Sequence, residues 1–107
     1  PTLVFDEVDS GIGGGVAEIV GQSLKTLSGG RQVLCVTHLP QVASQADQHI
    51  AVSKVSAGGK THTVIERLGA QEKVEEIARM LGGVRITDRT RAHASEMLAS
   101  ARRRRAG

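Results

Sequence analysis

The sequence predicts an α/β fold with a mainly parallel sheet, flanking helices and a β-hairpin, and three observations point there. Thr2-Leu3-Val4-Phe5 runs without polar alternation into Asp6-Glu7, the pattern of a strand covered on both faces, as in parallel sheets. After an intervening helical stretch, a second apolar run, Val33-Leu34-Cys35-Val36, ends in Thr37-His38. Two further strand-like runs flank the turn Ser56-Ala57-Gly58-Gly59-Lys60. Ligands of parallel sheets sit beyond the carboxyl ends of the strands, so the first two runs both end where chemistry is expected.

Each element follows from local signals. Gly11-Ile12-Gly13-Gly14-Gly15 is a flexible loop leading into a helix over residues 16–27, whose apolar positions Val16, Ile19, Val20, Leu24 and Leu27 keep helical spacing. Ser28-Gly29-Gly30 ends it with residues suited to a left-handed C-cap. Residues 31–37 form the second strand, and Pro40 fits the first turn of a short helix through Ala46. Residues 49–55 and 61–68 are the hairpin strands. Residues 71–81 are amphipathic through Val74, Ile77, Ala78 and Leu81, and Gly82-Gly83 stops that helix. Thr87 is the N-cap of a last helix with a buried stripe of Ala94, Met97, Leu98 and Ala101. No internal repeat and no linker divides the chain.

Composition narrows the function classes. At 107 residues the chain is one domain at most, and its opening directly on an apolar strand is the pattern expected of a piece of a longer protein. Phe5 is the sole aromatic residue, so the core must be built from Val, Ile, Leu and Ala, and a base-stacking nucleic-acid platform is disfavoured. The single Cys35 sits inside an apolar run and is expected to be a small buried thiol. It allows no disulfide framework, which fits a reducing cytosol. There is neither a long uninterrupted apolar run nor a charged-then-apolar leader, so no membrane partner is expected. The formal net charge of +3 owes much to Arg102-Arg103-Arg104-Arg105.

The acid pair carries the chemistry. Successive residues of an extended strand point to opposite sides, so Asp6 and Glu7 can take different jobs. One carboxylate can hold a hydrated Mg²⁺ through hard oxygen ligation while its neighbour accepts a proton from an attacking water. An acidic loop capping the next helix is the alternative.

Four blocks together carry a resemblance. Thr2-Leu3-Val4-Phe5-Asp6-Glu7-Val8-Asp9, then Gly11-Ile12-Gly13-Gly14, then Gln32-Val33-Leu34-Cys35-Val36-Thr37-His38-Leu39-Pro40-Gln41-Val42-Ala43 resemble the C-terminal part of the RecN family of SMC-like ABC ATPases. Val74-Glu75-Glu76-Ile77-Ala78-Arg79-Met80-Leu81-Gly82-Gly83, followed by a helix rich in Ala and Arg, is similar to that family's closing region. The blocks agree in order and spacing and span nearly all of the chain. The resemblance implies that residues 1–107 are the C-terminal lobe of a P-loop (ABC/SMC-like) ATPase head. It implies that residues 3–6 are the Walker B strand, with Asp6 on Mg²⁺ and Glu7 as general base. Residues 9–14 match the D-loop, the segment that in this family crosses the dimer interface between two ATPase heads, with Asp9, Ser10, Gly11 and Gly13 as the implied nucleotide-binding positions. His38 matches the switch histidine that senses the γ-phosphate, and an imidazole can indeed donate a hydrogen bond to a phosphate oxygen and report its loss. Gln41 follows the family's string without an assigned role. The implied cofactors are ATP and Mg²⁺, and the implied partners are a second head in a homodimer and DNA under double-strand-break repair and recombination. The implied location is cytoplasmic and nucleoid-associated.

Parts of the family machine are missing from this sequence. It contains no G-x-x-x-x-G-K-[ST] loop and no coiled-coil arm, so the phosphate cradle is expected upstream and the chain alone is expected to be inactive. Leu27-Ser28-Gly29-Gly30-Arg31-Gln32 imitates the ABC signature, but it follows the Walker B strand and is read as a helix-to-strand turn. His49, His62 and His93 have no metal-site spacing and read as surface or strand histidines. The four arginines read first as a solvated, frayed tail, with contact to DNA phosphates or stabilisation of the negative end of the last helix as the alternatives. Two alternatives stand beside the main reading: another SMC-like head of RecF type, and a non-catalytic module that binds DNA or a partner.

Overall fold

The computed structural model describes residues 2–6, 11–82 and 85–106. The elements are β1 (Thr2–Asp6), α1 (Gly14–Leu27), β2 (Gln32–Val36), α2 (Pro40–Ala43), β3 (Ile50–Ala57), β4 (Lys60–Arg67), α3 (Ala70–Gly82) and α4 (Asp88–Ala106). β1 and β2 run parallel in the register Thr2↔Gln32 to Asp6↔Val36, joined by α1 as a parallel pair requires. β3 and β4 are antiparallel, from Ile50↔Arg67 to Ala57↔Lys60, and form a separate two-stranded sheet. Their turn is Gly58-Gly59, with φ of 58° and 77°, the left-handed pair whose twist matches a two-residue hairpin.

The expectation of a mainly parallel sheet with a hairpin is met in part. Among the described residues parallel pairing is confined to β1 and β2, and the strands are not covered on both faces. Val4 is 67% and Val36 62% exposed, and Cys35 is half-buried rather than buried. A parallel sheet is buried on both faces only where helices lie across each, and α1 makes its tightest described approach to α2 instead.

The core is helical. Ala43, Ile77, Ala78 and Ala94 are its buried centre, flanked by Val74, Met80, Leu81, Ile86, Met97 and Leu98. The stripes expected on α3 and α4 thus face inward. On α1 the spaced apolar positions divide, Val20 and Leu24 being half-buried and Val16, Ile19 and Leu27 exposed, while Ala17 and Gly21 are the buried positions. Small residues let α1 approach a neighbouring backbone more closely than its branched ones would.

Caps define the helix ends. Ser28 N donates to Leu24 O at 3.1 Å, and its hydroxyl donates to Lys25 O at 2.6 Å. Gly30 then takes φ 115°, so residues 28–30 are a helix-to-strand turn. Gly69 N donates to Glu72 Oε1 at 2.9 Å, half of a capping box for α3. Thr90 N donates to Thr87 Oγ1 at 3.1 Å, the N-cap bond of α4. α3 ends at Gly82, and Gly83, the second half of the expected stop, lies outside the described residues. Arg91 Nε donates to Glu75 Oε2 at 2.9 Å and ties α4 to α3, although this exposed pair adds little stability.

The surface exceeds what a self-contained chain needs. Its accessible area is 7305 Å², against about 5,700 Å² for a compact monomer of this mass. The radius of gyration is 14.5 Å, against about 13 Å for this length. Part of the excess is apolar: Ile19, Val52 and Ile65 are each more than 60% exposed. No helix of the described residues is long and apolar enough to cross a membrane.

If the core lies between α2, α3 and α4, Ile77→Ala should cost about 2–5 kcal/mol in denaturant unfolding of the chain. Ile65→Ala on the hairpin should cost no more than about 1 kcal/mol. Equal losses would move the core onto the hairpin.

Candidate functional site

β1 and β2 deliver their carboxyl ends to one edge. Asp6, the last residue of β1, is in register with Val36, the last of β2, and His38 follows two positions later. Asp6 and His38 are both exposed. The backbone beyond β2 is braced, because Leu39 N donates to Thr37 Oγ1 at 3.0 Å and Pro40 fixes the first turn of α2. His38 sits inside that bracket.

The other side of the edge is glycine. Gly11 holds φ 75°, a conformation that a side chain would strain, and a Cβ at Gly11 or Gly13 would meet nothing within 4 Å. Gly13 is the N-cap of α1 and accepts Ala17 N at 2.8 Å. The first turn of α1 holds no acidic residue, so its positive end is not neutralised there. Glu7, Asp9 and Ser10, the expected base and the opening of the D-loop, lie outside the described residues. Among the described residues no group of three or more His, Cys, Asp or Glu is placed to hold a metal. Asp6 offers one hard carboxylate, which fits Mg²⁺ held by one or two carboxylates together with substrate phosphates.

Gly21 fixes this edge to the helical body. A Cβ there would lie 2.7 Å from Gln41 O, 3.1 Å from Gln45 Cγ and 3.2 Å from Val42 Cα. Only hydrogen fits. Gln41 also folds back toward the start of α1, since a Cβ at Gly14 would be 3.4 Å from its Nε2. Sequence reasoning left Gln41 without a role, and the structure places its side chain near the start of α1. Its position three residues after His38, in the first turn of α2, was the available signal. The side-chain oxygens of Gln41 and Gln45 are buried without a hydrogen-bond partner.

His49 behaves as a structural histidine. It is half-buried, its Nδ1 has no hydrogen-bond partner, and burial holds its pKa below the ordinary 6.5. The cations Lys73 and Arg79 push the same way, while Glu76 opposes them. His62 and His93 are exposed, as expected for surface positions.

No family model matches the chain. It is 56% identical over 98 residues to the DNA repair protein RecN of Xylella fastidiosa, a match that covers 92% of this chain and 18% of that protein. The chain is RecN-like. The DNA repair protein RecN of Bacillus subtilis is 48% identical over 100 residues, covering 94% of this chain and 17% of that protein. RecN of Treponema pallidum is 43% identical over 106 residues, covering 99% of this chain and 18% of that protein. The RecN-like stretch therefore includes both ends of the edge, from Asp6 to His38. The chain spans about 18% of the length of the curated relatives it matches.

Two outcomes check this geometry. Gly21→Ala should overpack the α1–α2 crossing and cost about 1–3 kcal/mol in thermal unfolding. Gly15→Ala, whose Cβ meets nothing within 4 Å, should stay within about 1 kcal/mol of the parent. A harmless Gly21→Ala would mean that the helices are not in contact there.

The second concerns pH. With its folded pKa lowered, His49 binds a proton more readily in the unfolded chain, so stability is complete above 6.5 and falls as pH drops through that value toward the folded pKa. His49→Gln should flatten the unfolding free energy against pH across that window. An unchanged slope would show that His49 is not the group responsible.

Proposed function

We propose that this chain is the C-terminal lobe of the ATPase head of a RecN-type DNA repair protein, and that its sheet edge takes part in ATP hydrolysis when the whole head is assembled. The observation that carries the reading is the β1–β2 register, which sets Asp6 and His38 on one carboxyl edge beside a glycine loop, in a sequence similar to RecN along nearly its whole length.

In this mechanism Glu7 accepts a proton from water as the water oxygen bonds to the γ-phosphorus, and the bond from that phosphorus to the β–γ bridging oxygen breaks, releasing ADP and phosphate. Asp6 would hold Mg²⁺, which would supply neutralisation of charge on the phosphate oxygens. His38 donates an imidazole N–H to a γ-phosphate oxygen and loses that bond when the phosphate departs. Asp9, Ser10, Gly11 and Gly13 approach the nucleotide of a second head, so engagement of two heads follows the nucleotide state. The phosphate-cradling loop must come from outside this sequence. The assignments to DNA repair, recombination, a head homodimer and a cytoplasmic, nucleoid-associated setting rest on the similarity to RecN.

The two carboxylates should separate in the full-length protein. Glu7→Gln should keep nucleotide binding but lower turnover about 10²–10⁴-fold, as loss of a general base does, leaving ATP bound and the heads engaged. Asp6→Asn should weaken the Mg²⁺-dependent step, so that added Mg²⁺ restores part of the activity. ATP turnover and head dimerisation are measured for both variants. Wild-type turnover by Glu7→Gln, or identical behaviour of the pair, refutes the assignment.

A further inference from the structure

Away from the sheet edge, the end of α1, the segment after α2, the start of α3 and the later part of α4 enclose a cleft of about 290 Å³. Lys25, Lys73 and Arg102 line it against one carboxylate, that of Asp47, among its described lining residues. Asp47 holds two of the cations together. Its carboxylate is ion-paired with Lys25, and its backbone oxygen accepts a hydrogen bond from Lys73 Nζ at 3.1 Å. Two ammonium groups are therefore fixed near one residue, and the formal charge of one of them is balanced there.

The ordinary explanation of such cations is helix capping, and it suits Lys25, which lies in the last turn of α1. It does not suit Lys73, near the start of α3, where the helix dipole disfavours a cation. Arg102 adds a third positive charge at the rim and begins the run of four arginines in the sequence. Ser95 and Gln71 supply neutral donors to the same cleft. A concave surface with surplus positive charge and several N–H and O–H donors is complementary to a phosphate group, with arginine providing a forked contact and lysine a point charge.

We propose that this cleft binds a phosphate of a DNA backbone, at a site distinct from the nucleotide-facing edge. The proposal rests on the DNA-repair reading above for the source of the phosphate. With no aromatic residue in the cleft, the contact fixes the backbone and carries no base sequence.

The test uses the full-length protein and a short duplex DNA, with affinity measured across a salt series without nucleotide. Lys73→Gln combined with Arg102→Gln should weaken binding equally for unrelated sequences and make the slope of log K against log salt shallower by about 0.9, the worth of one phosphate contact. Arg102→Gln alone changes an exposed residue and should weaken binding and shift the slope in the same direction by up to about 0.9, which keeps the test decisive if the double variant fails to fold. Lys54→Gln on the hairpin should leave the slope unchanged, and DNA-independent ATP turnover should be unchanged in every variant. An unaltered slope and affinity in the double variant overturn the cleft while leaving the head assignment intact. A second arm titrates inorganic phosphate: competition with DNA that is lost in the double variant supports the site. Phosphate binding that the double variant abolishes, with a DNA affinity that ignores the variants, assigns the cleft to free phosphate and overturns the DNA source. Absence of both DNA binding and ATP turnover in the parent protein overturns the cleft and the head assignment together.

Discussion

α1 can lie against α2 because Gly21 has no side chain: a β-carbon would sit 2.7 Å from the Gln41 carbonyl oxygen, inside contact distance. The rest of the arrangement depends on that crossing. α1 begins where the glycine loop after Asp6 ends, and α2 begins just past His38. The crossing therefore fixes the two halves of the edge relative to each other. Val42 and Ala43 of α2 are buried in turn, and Ala43 joins the cluster around Ile77 and Ala94. Stability made by α3 and α4 is passed through α2 to the loops that bear Asp6 and His38.

This division of labour explains how a weak pair of strands can carry a defined edge. β1 and β2 leave Val4, Leu34 and Val36 largely exposed, so the pair contributes less burial than a complete parallel sheet would. What it contributes is register. Parallel pairing from Thr2↔Gln32 to Asp6↔Val36 brings both strands to an end at the same level, and a slip by one residue would turn every side chain to the opposite face.

Much of this was legible in the sequence, and the failures have a common cause. α3 and α4 were readable because their buried positions are apolar at helical spacing, and the turn at Ser28-Gly29-Gly30 because C-cap chemistry is local. The hairpin turn at Gly58-Gly59 was readable for the same reason. α1 misled because hydropathy counts Val16 and Ile19 and is blind to a face whose virtue is smallness, Ala17 and Gly21. The apolar runs of β1 and β2 were read as covered on both faces, whereas coverage is a tertiary property that needs helices the run itself does not specify. The placing of Gln41 beside the start of α1 was missed because such an approach has no periodicity, and Lys73 because its neighbours, Asp47 and Lys25, are distant in sequence. Glu7, Asp9 and Ser10 remain expectations of the sequence and the resemblance.

The central claim is that Asp6 and His38 belong to one edge and act on one bound nucleotide. A double-mutant cycle on ATP turnover by the full-length protein tests it most directly, using Asp6→Asn, His38→Ala and the double variant. Residues that act as a unit are strongly non-additive, so the double variant should be scarcely slower than the worse single variant. Losses that simply add in free energy would contradict the account and leave the two residues as independent surface positions.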